Sequence, residues 1–468
     1  MLYWLTASPH QPEPMRKIPV TYLLLVLIHC GILLSCTAPQ PELSRLYKTA
    51  ENSDIQAPVI LVHGAFGSRL CNANTGAEVW PGRLSNLLLD NYQILALPLP
   101  GFPPMDDLTA LTPCGITDTV AGRDFYGAIE DTITGAGGYQ LTIPGTPVTG
   151  LQRRYYRFTY DWRQDNSRSA ANLDSLVDQI RDDHGNNALR VDIVAHSMGG
   201  LITRYWLRYG SADVLGGNEF PINNIGAWKA RRVILVGTPS LGSTSALQQI
   251  LTGADFGINT IDPEILLSFP SAYQLMPHPI VDSVLGNNGE PLARDIYDVD
   301  IWRALQWGPF DPRIRQNLQS LGWSVAQLTA LEMYTDIQLE RARRFVWSLT
   351  VKNPEVNHEL IVFGGDCMPT PARIFIEDID DESHVRLWPN EIARPSKHLD
   401  YQSLMLEPGD GAVTKASLLA RTTLDPSIPR HRFSDFPLDY AVMFCEDHSE
   451  LPGNITFQDN LLHILLSR

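Results

Sequence analysis

Ser197, Asp410 and His448 have the residue types and the chain order of a nucleophile, an acid and a base. Ser197 lies where a β-branched run gives way to a helical pattern, Asp410 lies in a glycine-lined turn, and His448 follows a strand-like run. A serine nucleophile needs a base to take its proton and an acid to orient that base. The three residues therefore predict acyl transfer through an acyl-serine.

Other acids and histidines compete for these roles. Asp366 also follows a strand-like run and is an alternative acid. His463 lies in a helical pattern, which favours a packing role. His63 and His196 precede the serine in the chain, so they are expected to support the site structurally. Position in the chain, rather than residue type, favours His448 as the base.

The segment around Ser197 predicts a strand, a sharp turn and a helix. Residues 191–194 are strand-like, and residues 201–207 continue with helical spacing. This pattern is the nucleophile elbow of α/β-hydrolases, G-x-S-x-G, with Ala195 in place of the first glycine. Small residues are needed because the strained turn brings strand and helix close together, and Gly199 meets that need.

Acyl transfer also requires two backbone N–H groups that stabilise a developing oxyanion. Met198, directly after the nucleophile, is expected to supply one of them. The glycine-rich turn of residues 63–67 is expected to supply the other, from Ala65 or Phe66. Because this turn lacks the lysine of a phosphate-binding loop, we assign it to the oxyanion.

Short apolar runs alternate with helical patterns, as expected for strands buried on both faces of a parallel sheet. The clearest runs are residues 59–62, 191–194, 233–236, 360–363 and 440–444. The alternation predicts an α/β fold with a mostly parallel, doubly wound sheet. Two regions interrupt it, residues 69–150 and 243–356. We expect them to form a lid-like insertion and a helical cap over the site.

The charge balance argues against a nucleic-acid partner. The 468 residues include 36 basic and 52 acidic side chains, for a formal net charge of −16. No patch rich in lysine and arginine offsets this charge. No cluster of histidine, cysteine and aspartate has metal-ligand spacing. We therefore expect neither a metal nor an organic cofactor.

The N-terminus has the pattern of an export signal. Arg16-Lys17 precedes an apolar stretch from Val20 to Leu34, which is short for a membrane span. The stretch ends in Leu-Leu-Ser-Cys36, which resembles the lipobox of bacterial lipoproteins, where the matching cysteine is lipidated. An ordinary cleaved signal and a short N-terminal anchor are the alternatives.

These features predict the organisation of the chain. Residues 1–36 form the signal, with Met15 as its start, residues 37–56 form a polar tether, and residues 57–468 form the hydrolase domain. The protein is expected to be exported and held in the cell envelope through Cys36, with secretion as the alternative.

Four cysteines follow the signal: Cys71, Cys114, Cys367 and Cys445. An even number in an exported protein predicts two disulfides, and four cysteines allow three pairings. We favour Cys71–Cys114 with Cys367–Cys445, because each pair lies in one region of the chain. Free buried thiols are the alternative.

Several motifs in residues 57–468 resemble, in order, those of the lecithin:cholesterol acyltransferase family. That family includes phospholipid:diacylglycerol acyltransferases and lysosomal phospholipase A2. The matching segments are Pro58–Ser68, Tyr160-Asp161-Trp162-Arg163, Ala195–Gly199, Gly237–Ser243, Pro369-Thr370-Pro371, Gly409–Val413 and His448. His63 departs from the pattern, because several relatives have proline there.

The resemblance implies an α/β-hydrolase that acts on lipid esters at a membrane or lipid surface, either as a hydrolase or as an acyltransferase. One alternative keeps the triad but takes a simple ester, a thioester or a hydroxyacid polyester. Another is a catalytically inactive surface lipoprotein. The residues expected to support the site structurally are His63, Gly64, Asp161, Trp162, Arg163, His196 and Gly199.

Overall fold

The apolar runs of the sequence become strands of one parallel sheet in the computed structural model. Among the described residues this sheet has seven strands, ordered β7-β6-β5-β4-β1-β3-β2. All neighbouring pairs in it run parallel. In chain order the strands are β1 (Val59–Val62), β2 (Gln140–Leu141), β3 (Arg154–Phe158), β4 (Val191–His196), β5 (Ala230–Val236), β6 (Glu359–Gly365) and β7 (Tyr440–Phe444).

The structure describes residues 41–48, 56–82, 92–101, 110–120, 123–256, 259–353, 358–380, 382–420 and 436–467. The predicted signal over residues 1–36 lies outside this part of the chain, together with Met15 and Cys36. Within the predicted tether, Leu43–Leu46 form a helical turn. The phenol of Tyr47 donates to the carbonyl oxygen of Asp459 at 2.8 Å. This part of the tether therefore packs on the C-terminal helix instead of running free.

Two apolar cores lie on opposite faces of the sheet, because alternate side chains of each strand point to opposite sides. On one face, Ile60 and Val62 belong to a core that includes the helices Asn166–Asp183 and Met198–Tyr209. On the other face, Val59 and Leu61 pack with the C-terminal helix Ile455–Leu466. This two-sided covering confirms the predicted α/β class.

Residues 69–150 form several short strands and a helix. Strands Ser68–Asn72, Glu78–Trp80 and Leu111–Ile116 make an antiparallel sheet, and Thr119–Val120 pairs with Arg123–Asp124. The helix Gly127–Asp131 follows, with a π-helical turn at Thr132–Ala136. The region then supplies β2, the edge strand of the main sheet.

Residues 243–356 are mostly helical, as expected. The helices are Thr244–Thr252, Pro263–Leu266, Pro270–Gln274, Val299–Ala304, Pro312–Ser320 and Val325–Ser348. The long last helix begins with a capping box between Ser324 and Gln327. A hairpin of Ala254–Phe256 and Asn259–Ile261 interrupts the helices.

Shorter elements complete the fold. The remaining helices are Ile225–Lys229, Tyr401–Met405 and Lys415–Leu418, with 3-10 turns at Gln93–Leu95, Gly308–Phe310, Pro389–Glu391 and Leu451–Gly453. Small sheets join Val284–Leu285, Ile374–Ile379 and Glu382–Arg386, and join Met368–Pro371 to Leu406–Gly409. Across the described part of the chain, no helix combines the length and the hydropathy that crossing a bilayer requires.

Candidate active site

Ser197 occupies the turn between β4 and the helix Met198–Tyr209. Its backbone has φ 52° and ψ −125°, a region that residues with a side chain rarely adopt. The Ser197 N–H donates to the Val236 carbonyl oxygen of β5 at 2.8 Å, which helps to hold the turn. A Cβ at Gly199 would lie 2.4 Å from the carbonyl oxygen of His63, so only glycine fits there.

The structure brings Ser197, His448 and Asp410 together from the carboxyl ends of strands. Nε2 of His448 lies 2.9 Å from Oγ of Ser197. Nδ1 of the same ring lies 2.8 Å from Oδ2 of Asp410. The other oxygen of Asp410 accepts the N–H groups of Val413 at 2.7 Å and Ala412 at 3.0 Å. These contacts connect hydroxyl, imidazole and carboxylate in one hydrogen-bonded chain.

The surroundings of Asp410 and His448 favour an ionised carboxylate and a protonated imidazole. Burial raises the pKa of Asp410, which is 1% exposed, but the charge and hydrogen bond of His448 and two backbone N–H groups outweigh it. The net pKa of the carboxyl is lowered. Burial lowers the pKa of His448, yet Asp410, with a smaller contribution from Asp447, raises it above the ordinary 6.5. An imidazolium formed at His448 is thereby stabilised.

The alternative acid and the helical histidine have other surroundings. Asp366 forms an ion pair with Nζ of Lys415 at 2.8 Å, whereas the imidazole of His448 contacts Asp410. The side chain of His463 is exposed on the C-terminal helix. Its predicted packing role is therefore wrong, because residue 463 falls on the solvent-exposed side of this helix.

The turn after β1 lies directly against Ser197. A Cβ at Gly64 would come within 2.8 Å of the Ser197 Cβ, so a side chain there would collide with Ser197. The Gly64 N–H donates to the phenol oxygen of Tyr126 at 2.7 Å and is thus engaged. Phe66 has φ 63°, and its carbonyl oxygen accepts the indole N–H of Trp80 at 3.0 Å.

The predicted oxyanion donors lie on the two segments that meet at the serine. Ala65 and Phe66 lie in the turn after β1, and Met198 is the first residue of the helix that follows Ser197. The first N–H groups of a helix have no partner within it and are suited to a negative oxygen.

Comparison with known proteins identifies a similar family and a similar fold. Residues 149–309 match the model of the lecithin:cholesterol acyltransferase family. The matched stretch begins just before β3 and ends within the mostly helical region of residues 243–356. Over these residues the chain is similar to this family, and its fold is that of an α/β-hydrolase. The family is one of lipid-ester hydrolases and acyltransferases. No curated protein sequence matches the chain significantly.

Solved structures resemble the chain over most of its length. The structure of the Tle4-Tli4 complex aligns with a TM-score of 0.50 and 15% identity, covering 88% of this chain and 98% of that chain. The mature Bacillus licheniformis lipase BlEst2 aligns with a TM-score of 0.34 and 12% identity, covering 89% and 94%. EstA from Clostridium botulinum has a TM-score of 0.35 and 12% identity, covering 92% and 91%.

The family motif Tyr160-Asp161-Trp162-Arg163 supports the turn after β1. The phenol of Tyr160 donates to the His63 carbonyl oxygen at 2.6 Å, and the indole of Trp162 donates to the Ser68 carbonyl oxygen at 3.1 Å. Arg163 pairs with Asp161 at 2.8 Å. The motif thus holds the turn from the adjacent strand through these contacts.

His63 is a buried structural residue of the same turn. Its ring stacks on the Tyr160 ring, with centroids 4.2 Å apart and planes 3° apart. One ring nitrogen lies 2.5 Å from Oγ of Ser68. Burial lowers the pKa of His63 to about 4, so the ring is neutral near pH 7.

Two disulfides join the four cysteines in the favoured pairing. Cys71 pairs with Cys114 within the antiparallel sheet of the insertion. Cys367 pairs with Cys445 and connects the carboxyl ends of β6 and β7. Because His448 follows Cys445 by three residues, the second disulfide anchors the loop that carries His448.

Sequence reasoning missed Tyr126. Its phenol contacts both the turn after β1 and His196 of the elbow. Tyr126 lies in the insertion, where neither a motif nor a hydrophobic period singles it out. Among the described residues, no group of histidine, cysteine, aspartate and glutamate side chains is arranged to hold a metal ion.

Proposed function

We propose that this protein is an exported serine acyl-hydrolase or acyltransferase of lipid esters, with Ser197 as nucleophile, His448 as base and Asp410 as orienting acid. The observation that carries the proposal is the continuous contact from Ser197 Oγ to His448 at 2.9 Å and from His448 to Asp410 at 2.8 Å. This hydrogen-bonded order of hydroxyl, imidazole and carboxylate is the arrangement that a serine nucleophile requires.

In the first half of the reaction, Nε2 of His448 takes the proton of the Ser197 hydroxyl as Oγ attacks the ester carbonyl carbon. The N–H groups of Met198 and of Ala65 or Phe66 stabilise the negative oxygen. The imidazolium then gives its proton to the departing alcohol, which leaves an acyl-serine. Asp410 stabilises the imidazolium but does not take its proton.

In the second half, water or an acceptor alcohol attacks the acyl-serine, and His448 takes its proton. Collapse of the tetrahedral intermediate returns the proton to Ser197. The product is a free acid when water attacks and a new ester when an alcohol attacks. Incubation with a phospholipid and a sterol, followed by identification of both products, separates hydrolysis from transfer.

An apolar surface beside the turn supports a lipid substrate. The partly buried rings of Phe66, Phe125 and Phe256 lie together, with Phe256 contributed by the hairpin of the helical cap. The centroid of Phe256 is 6.4 Å from that of Phe66 and 5.8 Å from that of Phe125. Such rings offer an acyl chain an apolar wall next to the reacting carbonyl.

The nucleophile is tested by Ser197→Ala. We expect this variant to lose hydrolysis of a short-chain p-nitrophenyl ester and of a phospholipid, together with labelling by a fluorophosphonate probe. Ser175→Ala, at an exposed position on the helix Asn166–Asp183, is the matched control and should keep both properties. Unchanged esterase activity in the Ser197 variant would refute the proposal, as would the absence of labelling in the unaltered protein.

We further propose that Cys36 is lipidated and anchors the exported protein in the cell envelope. The full chain, expressed in bacteria with radiolabelled palmitate, should carry the label and sediment with membranes. Cys36→Ala should lose the label, whereas Cys30→Ala, in the same apolar stretch, should keep it. A labelled Cys36 variant, or an unlabelled natural chain, would refute the anchor.

A further inference from the structure

Three parts of the site meet at two buried side chains. Tyr126 is 2% exposed and His196 is 8% exposed. The Gly64 N–H, in the turn after β1, lies 2.7 Å from the phenol oxygen of Tyr126. That oxygen lies 2.8 Å from Nδ1 of His196 in the elbow. Nε2 of His196 lies 3.1 Å from the carbonyl oxygen of His448.

The donors and acceptors in this chain allow one proton arrangement. The His448 carbonyl oxygen can only accept, so the one proton of a neutral His196 ring lies on Nε2 and is donated to that carbonyl. Nδ1 therefore accepts the phenol proton of Tyr126, whose oxygen accepts the Gly64 N–H. Burial lowers the pKa of His196 to about 3, in keeping with a neutral ring.

This series of hydrogen bonds acts on His448 through the backbone of that residue. The N–H of His448 donates to the carbonyl oxygen of Asp410 at 2.9 Å, and the His448 carbonyl accepts from His196. Both backbone groups of the base are therefore held. At the other end, Tyr126 holds Gly64, which directly faces the Ser197 Cβ. The two contacts set the distance between the oxyanion turn and the imidazole.

We propose that Tyr126 and His196 form a positioning relay that holds the turn after β1 and the main chain of His448 in register across the nucleophile. The inference rests on the proposed function, because it assigns the relay to acylation of Ser197. Neither side chain takes a proton from the substrate. Their contribution is geometric and is made through hydrogen bonds. Removing either side chain breaks these bonds and leaves buried polar groups unpaired.

The relay is tested with Tyr126→Phe, which removes one hydroxyl and keeps the ring. We expect kcat to fall about 10- to 100-fold with KM within about twofold, because the loss affects alignment rather than substrate binding. The rate of fluorophosphonate labelling should fall by the same factor. Tyr139→Phe is the matched control, since this buried phenol bonds to the Leu465 carbonyl oxygen away from the site, and its kcat should stay within about twofold.

A double-mutant cycle distinguishes a relay from two separate structural effects. His196→Ala should lower kcat to a similar extent, and adding Tyr126→Phe to it should cost little more. His196→Gln, which retains an amide donor toward the His448 carbonyl, should recover part of the loss. Should the alanine variant not fold, the cycle is built on the glutamine variant, where the two losses should again be less than multiplicative.

Retention of kcat within twofold in Tyr126→Phe would overturn the relay, and so would losses that multiply in the double variant or that appear in KM. Ser197→Ala, measured beside these variants, separates the two proposals. An active Ser197 variant refutes the proposed function. An inactive one together with a fully active Tyr126 variant refutes the relay alone.

Discussion

Replacing Asp410 by asparagine tests how the acid works, because the change removes charge while keeping shape. The asparagine oxygen can still accept the N–H groups of Ala412 and Val413, which Oδ1 of Asp410 accepts now. Its amide nitrogen then faces Nδ1 of His448. Since that amide can only donate, Nδ1 must be unprotonated, and the ring proton lies on Nε2, facing Ser197. In that tautomer, His448 cannot take the proton of the serine.

The expected loss is about 10⁴-fold in kcat, the size typical of a triad histidine held in the wrong tautomer. This loss corresponds to about 5 kcal/mol of transition-state stabilisation. The pH profile should change as well. The neutral ring is the active base, so activity rises as pH increases through the pKa of His448. Because Asp410 raises that pKa above 6.5, Asp410→Asn should move the acidic limb to lower pH.

Asp366→Asn is the matched control. Asp366 directly follows β6, and Asp410 packs against Gly365 at the end of the same strand. The side chain of Asp366 is 32% exposed and pairs with Lys415. An exposed pair of this kind contributes about 0–1 kcal/mol to stability, so we expect kcat within about twofold. The assay is kcat and KM on a p-nitrophenyl ester from pH 5 to 9. A larger loss in Asp366→Asn than in Asp410→Asn, or more than a tenth of kcat left in the latter, would refute the assignment.

Three further changes have defined outcomes. Gly64→Ala should lower kcat about 100-fold or more in a folded protein, because the methyl group would lie 2.8 Å from the Cβ of the nucleophile; circular dichroism checks the fold, and normal kcat would contradict the reasoning. Replacing Cys367 and Cys445 together by serine should lower the free energy of unfolding by about 2–5 kcal/mol in urea titrations; an unchanged midpoint would show that the disulfide is dispensable. Arg163→Leu should cost about 3–5 kcal/mol in the same assay, because it leaves the Asp161 carboxylate without its buried partner; a loss below about 1 kcal/mol would contradict this.

The sheet could be predicted from the sequence because its strands are short apolar runs buried on both faces. The structure has strands at all five runs, and residues 59–62, 191–194, 233–236 and 360–363 are buried, whereas the edge strand Tyr440–Phe444 is partly exposed. The same runs indicated which side chains would meet, since the carboxyl ends of parallel strands lie at one edge of the sheet. Ser197 follows the end of β4 directly and His448 lies four residues beyond the end of β7, so their proximity required no knowledge of the segments between them.

Contacts from the insertion could not be predicted in this way. Tyr126 contacts Gly64 and His196, which lie 62 and 70 positions away in the chain. Nothing in the local pattern around Tyr126 specifies either partner, because the contact depends on how the irregular segment folds back over β1. The exposed His463 illustrates the same limit, since helical periodicity did not indicate which side of the C-terminal helix faces the core.

Ala195 shows how the elbow motif depends on its surroundings. It stands where the motif usually has glycine, yet it is fully buried in the apolar core beside Val62 of β1. The absolute requirement for glycine lies elsewhere, at Gly199 against the His63 carbonyl and at Gly64 against Ser197. Both of these contacts join the elbow to the turn after β1. The steric demand of the motif is therefore a demand for close approach of these two segments, and an alanine that points into the core leaves that approach intact.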